Sequence, residues 1–331
     1  MRGSTFYKGK NVLVAGAAGF VGTHLCKKML ELGANVRGTL YKKAPQLNLS
    51  NVEYIFADLT NTQDCLKVTE RIDFVFMTAA NSSGAGVIEK TPLVHLTPNL
   101  IMNALMLEAA YTNNVSKFCF ISSNTVYPVT DFAVKECDAN FDYFEKYFIV
   151  GWMKRFSEIM CEMYSTKIKS PMICVNVRPG NLYGPYDKFS WKESKVIASL
   201  IRKSIERHDP LEVWGDGQDI KDFLYIEDFI DGLVLAFEKS KKFETFNIAS
   251  GVPVTVVQIL RQILSLSEFD NAKVVFNGDM PTMIPKRLID ISNIREKFGW
   301  LPNTSIEEGL QKTIDWYRME FKTKTPESVL L

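Results

Sequence analysis

Short apolar runs rich in β-branched and aromatic residues alternate, up to about residue 180, with longer stretches whose apolar positions recur every three to four residues. The first pattern suits buried strands and the second amphipathic helices. Strands are predicted at residues 11–15, 35–40, 52–56, 74–78, 118–122 and 172–177. Helices are predicted at 23–32, closed by Gly33 as its C-terminal cap, and near 98–113 and 148–164. Six strands in this rhythm predict a Rossmann-type doubly wound α/β fold with a parallel sheet. After Pro179 the texture changes to loops carrying Gly, Pro and aromatic residues, then helices near 196–207 and 226–238. The organisation expected is a dinucleotide-binding domain over residues 1–180, with returning segments around 222–250, and a smaller, partly interleaved lobe over 181–331.

Composition narrows the classes of function. Of 331 residues, 46% are hydrophobic and 23% charged, as in a globular enzyme rather than a disordered or fibrous chain. The 39 basic residues face 38 acidic ones without a long basic block, so no nucleic-acid partner is expected and small molecules are. No apolar run approaches the ~18 residues needed to span a bilayer, so no membrane partner is expected. Six cysteines without a C-x-x-C pair suit reduced thiols of a cytoplasmic protein, and the singly scattered His24, His95 and His208 suggest no metal site. The tail from about Phe321 reads as loosely ordered.

Between the first strand and the first helix lies Gly16-Ala17-Ala18-Gly19-Phe20-Val21-Gly22. Glycines there allow a tight turn and close approach of the backbone to a pyrophosphate, whose charge the helix N-terminus stabilises. At the end of strand two, where an acidic residue would favour NAD, stands Leu40, followed by Lys42 and Lys43. Two lysines suit a 2′-phosphate and equally a solvated loop, so NAD or NADP is expected with a slight lean to NADP.

The G-x-x-G-x-x-G spacing and the chain length resemble the extended short-chain dehydrogenase/reductases, the NAD-dependent epimerase/dehydratase family. The resemblance continues along the chain. Asp58-Leu59 is similar to the pair that contacts adenine, and Ala79-Ala80 to the small-residue step beneath the adenosine. The segment Ile121-Ser122-Ser123-Asn124-Thr125-Val126-Tyr127-Pro128 resembles the serine segment, with Ser123 as its catalytic hydroxyl. Arg178-Pro179-Gly180-Asn181 resembles the stretch where nicotinamide meets sugar. Trp214-Gly215-Asp216-Gly217 with Lys221-Asp222-Phe223, and Arg287-Leu288-Ile289-Asp290, resemble the nucleotide-sugar segments. Texture is closest to the GDP-fucose synthases, NADP-dependent 3,5-epimerase/4-ketoreductases.

What the resemblance implies is a nucleotide-sugar enzyme, most simply GDP-linked, transferring hydride at sugar C4. Ser123 would orient the C4 oxygen, and Lys154 would hold the cofactor ribose. Arg287 and Asp290 would contact the nucleotide, with Lys203 and Lys221 near its phosphates. Helices 98–113 and 148–164 would form a homodimer.

Four departures from that pattern involve five positions. The frame Val150-Gly151-Trp152-Met153-Lys154 is that of Tyr-x-x-x-Lys with valine in place of the tyrosine that takes the hydroxyl proton. Loss of one acid/base group typically costs about 10²–10⁴ in rate. Lys195 and Thr125 stand where the epimerisation histidine and cysteine would be, which argues against double epimerisation. Lys203 and Lys221 replace phosphate-gripping arginines, keeping charge without the planar fork. Tyr147, three residues before Val150, Lys195 or an ordered water would be the proton partner. Alternatives are a 4-epimerase that retains NAD and a dinucleotide- or sugar-binding protein deficient in turnover.

Overall fold

Along β1 (Asn11–Ala15) every second side chain enters a different core: Val12 and Val14 join one buried cluster, Leu13 and Ala15 the other. A strand buried on both faces belongs at the centre of a sheet covered by helices on both sides. The computed structural model describes residues 5–81, 91–191, 193–280 and 282–323, and shows that sheet. Its seven parallel strands run in the order β10-β6-β5-β4-β1-β2-β3, where β2 is Asn35–Leu40, β3 Val52–Phe56, β4 Phe74–Met77, β5 Lys117–Ile121, β6 Ile173–Pro179 and β10 Glu244–Ile248.

Helices α1 (Phe20–Glu31) and α6 (Ile226–Lys239) cover one face through Leu25, Met29, Phe229, Leu233 and Phe237. The other face is covered by α2 (Thr62–Thr69), α3 (Thr97–Thr112) and α4 (Phe148–Thr166), which bury Val68, Met106, Leu107 and Cys161. The strand order turns outward on either side of β1 and β4, which leaves a crevice at the carboxyl ends of these strands, where ligands of such sheets bind.

Beyond β6 the chain builds two small sheets. One holds β7 (Asn181–Tyr183), β9 (Ile220–Tyr225) and β11 (Pro253–Thr255), and the other pairs β8 (Leu211–Trp214) with β12 (Val274–Asn277). Helices α5 (Val196–Ile205), α7 (Val256–Leu266), α8 (Ser292–Phe298) and α9 (Ile306–Thr323) complete this part. The sheet thus has a seventh strand beyond the six expected, because β10 returns to pair with β6 from Glu244↔Val175 to Ile248↔Pro179.

Two local expectations need correction. Helix α1 starts at Phe20 rather than at residue 23, because the turn closes at Gly19, whose extended backbone (φ −82°, ψ 167°) is the N-cap. Its end is as read: Leu32 is the C-cap, and Gly33 follows at φ +77°, a conformation glycine adopts without strain. Residues 321–323 continue α9 instead of beginning a loose tail, and residues 324–331 lie outside those described.

Candidate active site

The turn before α1 is built for close approach. Gly16 sits at φ +87°, and a Cβ there would lie 2.7 Å from the Cα of Ala79. One at Gly22 would lie 2.2 Å from the Gly16 carbonyl oxygen. The backbone N–H of Gly16 donates to Thr39 Oγ1 at 2.8 Å, an anchor that motif reading passes over because threonine inside a strand looks like ordinary β-propensity. Gly19 provides no side-chain cap and the first turn of α1, with Phe20 and Val21, holds no acidic residue. Its N–H groups are therefore available to an anion. Around this cradle stand the half-buried Ala79 and the exposed Ala80 after β4, and the exposed Lys42 and Lys43 after β2. Asp58 accepts from Thr60 N at 2.9 Å and Thr60 Oγ1 at 2.6 Å, bonds that with nearby Lys42 hold its carboxyl below the usual range. Leu59 instead packs its side chain into the core, and its carbonyl accepts from Cys65 Sγ at 3.2 Å.

At the carboxyl end of β5 the chain tightens into a turn over Asn124–Val126, capped by Ser123. Ser123 Oγ accepts from Thr125 N at 3.1 Å and from Thr125 Oγ1 at 3.0 Å. The Thr125 hydroxyl is thus committed to orienting Ser123. Beside it, Ser122 Oγ is buried with no hydrogen-bond partner among the described residues, as expected where a bound group supplies the missing bond. Pro179 contributes its carbonyl, which accepts from Asn124 Nδ2 at 3.1 Å.

Helix α4 carries the half-buried Val150 and, one turn on, Lys154. Lys154 Nζ donates to the Ile121 carbonyl at 2.8 Å beside the Phe120 ring, and burial pushes it down to about 8 against the opposing pull of Glu158. Tyr147 is the N-cap of α4 (φ −104°, ψ 2°), so it leaves the helix rather than lying a regular turn above Val150. Burial pushes its phenol up to about 12; Arg287 opposes this and Asp219 adds to it. At neutral pH it is a proton donor. Tyr143, by contrast, packs its ring on Gly151 and is buried.

A cavity of about 640 Å³ opens next to this turn, lined by Asn124, Tyr147, Asn181, Lys195, Lys203, Trp214, Lys221 and Arg287. Its cations are held by the fold. Lys203 Nζ donates to the Glu212 carbonyl at 2.7 Å, Lys221 pairs with Asp219 at 3.0 Å and with the Ile284 carbonyl, and Arg287 donates to the carbonyls of Pro128 (2.8 Å) and Tyr127 (3.1 Å). Burial lowers the pKa of all three, that of Arg287 to about 10, and Arg287 Nε is buried without a partner among the described residues. Asn181 is fixed by donating to the Asp222 carbonyl at 3.0 Å. Lys195 is the N-cap of α5 and stands near Asp187, a buried cavity-lining carboxyl whose pKa burial raises against the pull of that lysine. Asp187 was not singled out in the sequence.

One expected site residue, Asp290, and one motif residue, Arg178, fall elsewhere. Asp290 is apart from the cavity wall and accepts from Ser292 N at 2.7 Å, where it caps the start of α8. Arg178, quoted with Pro179, is buried in a bidentate pair with Glu158 (2.8 and 2.7 Å) and braces β6 against α4.

A parallel doubly wound sheet with a glycine cradle at the first helix, and a cation-lined cavity beside the Ser123 turn, define a dinucleotide-binding protein of the Rossmann class. The chain belongs to the NAD dependent epimerase/dehydratase family, whose model matches residues 12–249. It is 30% identical to GDP-mannose 3,5-epimerase of Arabidopsis thaliana over 94% of this chain and 83% of that protein. To GDP-L-fucose synthase of Sinorhizobium fredii it is 27% identical over 93% and 95%. Among solved structures, UDP-glucose 4-epimerase of Thermotoga maritima with UDP-glucose superposes with a TM-score of 0.85 at 25% identity, covering 94% of this chain and 99% of that one. These relatives are named for nucleotide sugars, and no helix among the described residues is long and apolar enough to cross a membrane.

Proposed function

We propose that the chain is an NAD(P)-dependent oxidoreductase of a GDP-linked sugar that moves hydride at sugar C4. The observation that carries this reading is the continuity of the Ser123 turn, through Asn124 and Tyr147, with a cavity whose wall holds Arg287, Lys221 and Lys203. A diphosphate fits the cations and a sugar the end near Ser123. GDP is favoured by the GDP-named relatives at 27–30% identity. Residues 1–180, with returning segments around 222–250, would hold the dinucleotide, and 181–331 mainly the nucleotide sugar.

A bound nicotinamide would supply or accept the hydride. The protein's part is to orient and to move protons. Ser123, fixed by Thr125, directs its hydroxyl at the C4 oxygen; Lys154 holds the cofactor ribose; and the neutral phenol of Tyr147 is the proton donor in the reducing direction. Lys42 and Lys43 favour NADP slightly. Six free cysteines suit a cytoplasmic setting, and the exposed face of α4 suits a homodimer.

A second reading, epimerisation at the carbons flanking a C4 ketone, is favoured by the similarity to GDP-mannose 3,5-epimerase. Since Thr125 is committed to Ser123, Lys195 would be the ionisable group available.

The test is mass spectrometry of ligands released on denaturation, then incubation with GDP- and UDP-sugars in D₂O. Stoichiometric nicotinamide absorbance change with a C4-altered GDP-sugar supports the oxidoreductase. Isomerised sugar with no net absorbance change, or with deuterium at C3 or C5, overturns it in favour of epimerisation. Binding without turnover leaves a turnover-deficient binding protein.

A further inference from the structure

The cavity wall also carries groups, adjoining Lys203, that the proposed chemistry does not use. There Trp191, His208, Pro210, Glu212 and Trp214 share the wall. The Arg202 guanidinium lies 4.0 Å over the Trp191 ring, which meets the His208 ring edge-on at 5.0 Å, so this indole is a fixed platform. On β8, Leu211 and Val213 are buried while Glu212 and Trp214 alternate with them, placing carboxylate and indole on the opposite face. Glu212 is held there: Asn277 Nδ2 donates to its Oε1 at 2.6 Å from the neighbouring strand β12, and its own carbonyl accepts from Lys203.

If the sugar lies at Tyr147 and the diphosphate along Arg287, Lys221 and Lys203, the base falls beside Glu212, one residue contact beyond the last cation. We infer that Glu212 reads a guanine base through its Watson–Crick edge, an inference that rests on the nucleotide-sugar reading above. Guanine offers two adjacent donors, N1–H and the N2 amino group, which match the two oxygens of one carboxylate. Uracil offers a single N3–H between two carbonyls, and both carbonyls would face the carboxylate's negative charge. Hypoxanthine keeps N1–H and lacks the amino group. The platform rings supply the stacking surface a purine uses, and the Asn277 bond spares the carboxylate its ordering cost.

The experiment is calorimetric titration of the intact protein with GDP, IDP and UDP, repeated with Glu212→Gln. The wild type is expected to bind GDP about 10- to 100-fold more tightly than IDP, the range of a hydrogen bond to a charged group. In Glu212→Gln the ratio should fall below about threefold, and UDP affinity should rise because the carboxylate's repulsion of the uracil carbonyls is removed. Equal affinity of the wild type for GDP and IDP overturns the inference without recourse to the variant. A GDP-over-IDP preference that survives in Glu212→Gln also overturns it, while leaving the GDP-sugar reading standing. A wild type that prefers UDP to GDP overturns both.

Discussion

Val150 poses the sharpest problem at the scale of single residues. Its neighbours Ser123, Thr125 and Lys154 retain a hydroxyl, an orienting bond and an ammonium, so only the proton-carrying phenol is displaced. In the proposed function Tyr147 would replace its chemistry at a different place, on the cavity wall instead of on the helix face. Val150→Tyr would set a phenol one turn from the Lys154 ammonium, which lowers its pKa. Single-turnover hydride transfer, read by nicotinamide absorbance, is expected to rise at least about tenfold. An unchanged rate would mean that Tyr147 or Lys195 already carries the proton. Lys154 gives a second expectation. Burial holds it at about 8, below the ~10.4 of an unfolded lysine, so between those values the unfolded chain binds a proton the folded site has released. Its contribution to apo stability therefore rises with pH across that window and is flat below about 8. Lys154→Met should abolish that increment in the denaturant midpoints measured at pH 7 and pH 10. If the variant keeps the same slope, the lysine does not titrate there.

At the scale of elements, the cradle and the catalytic helix were legible to different degrees. Glycines between a strand and a helix announce a turn that nothing larger can make, and the spacing from Gly16 to Gly22 follows from contacts with Ala79 and the Gly16 carbonyl that are themselves backbone. The C-terminal signals were weaker. Asp290 stands in a nucleotide-sugar motif, yet its carboxylate caps α8, and a carboxylate two residues before a helix N–H competes locally for that bond whatever ligand is near. Glu212 and Asp187 carry no spacing signal, because alternation on a short strand or position in a loop looks the same for a solvated residue as for one aimed into a cavity. Gly151 was read merely as the residue after Val150. In the fold it lets α4 seat on the Ser123 turn, since a Cβ would lie 2.7 Å from the Thr125 carbonyl and 2.9 Å from the Tyr143 ring. Gly151→Ala forces one of these apart. It is expected to destabilise the fold by about 1–3 kcal/mol, as overpacking does, and to lower turnover further by moving Lys154 relative to Ser123. Denaturant melts and initial rates measured together would show both; full activity with a lowered midpoint would mean the helix shifts without disturbing the pair.

The whole molecule depends on what covers the other side of α4. Phe148, Trp152, Phe156 and Met163 are exposed at i, i+4, i+8 and i+15, a stripe along the face opposite the sheet, and the Trp152 and Phe156 rings stack at 5.4 Å and 14°. Apolar side chains scattered singly need no partner, whereas a continuous aromatic stripe on one helix is unusual for an isolated monomer. A second copy related by a twofold axis would lay the same stripe against itself and against α3, where Ile101 is also exposed. The helix so clamped is the one that carries Lys154 and Val150 on its inner face, so dimerisation would hold Lys154 at its depth. Wild-type protein is expected to sediment as a dimer and Phe156→Glu as a monomer, because a carboxylate buried at the centre of a self-complementary patch meets its own charge across the axis. A wild type that sediments as a monomer at micromolar concentration overturns the dimer. If Phe156→Glu sediments as a monomer and keeps its melting midpoint but turns over more slowly, with the loss in kcat and not KM, the interface acts by positioning α4 rather than by holding the fold together.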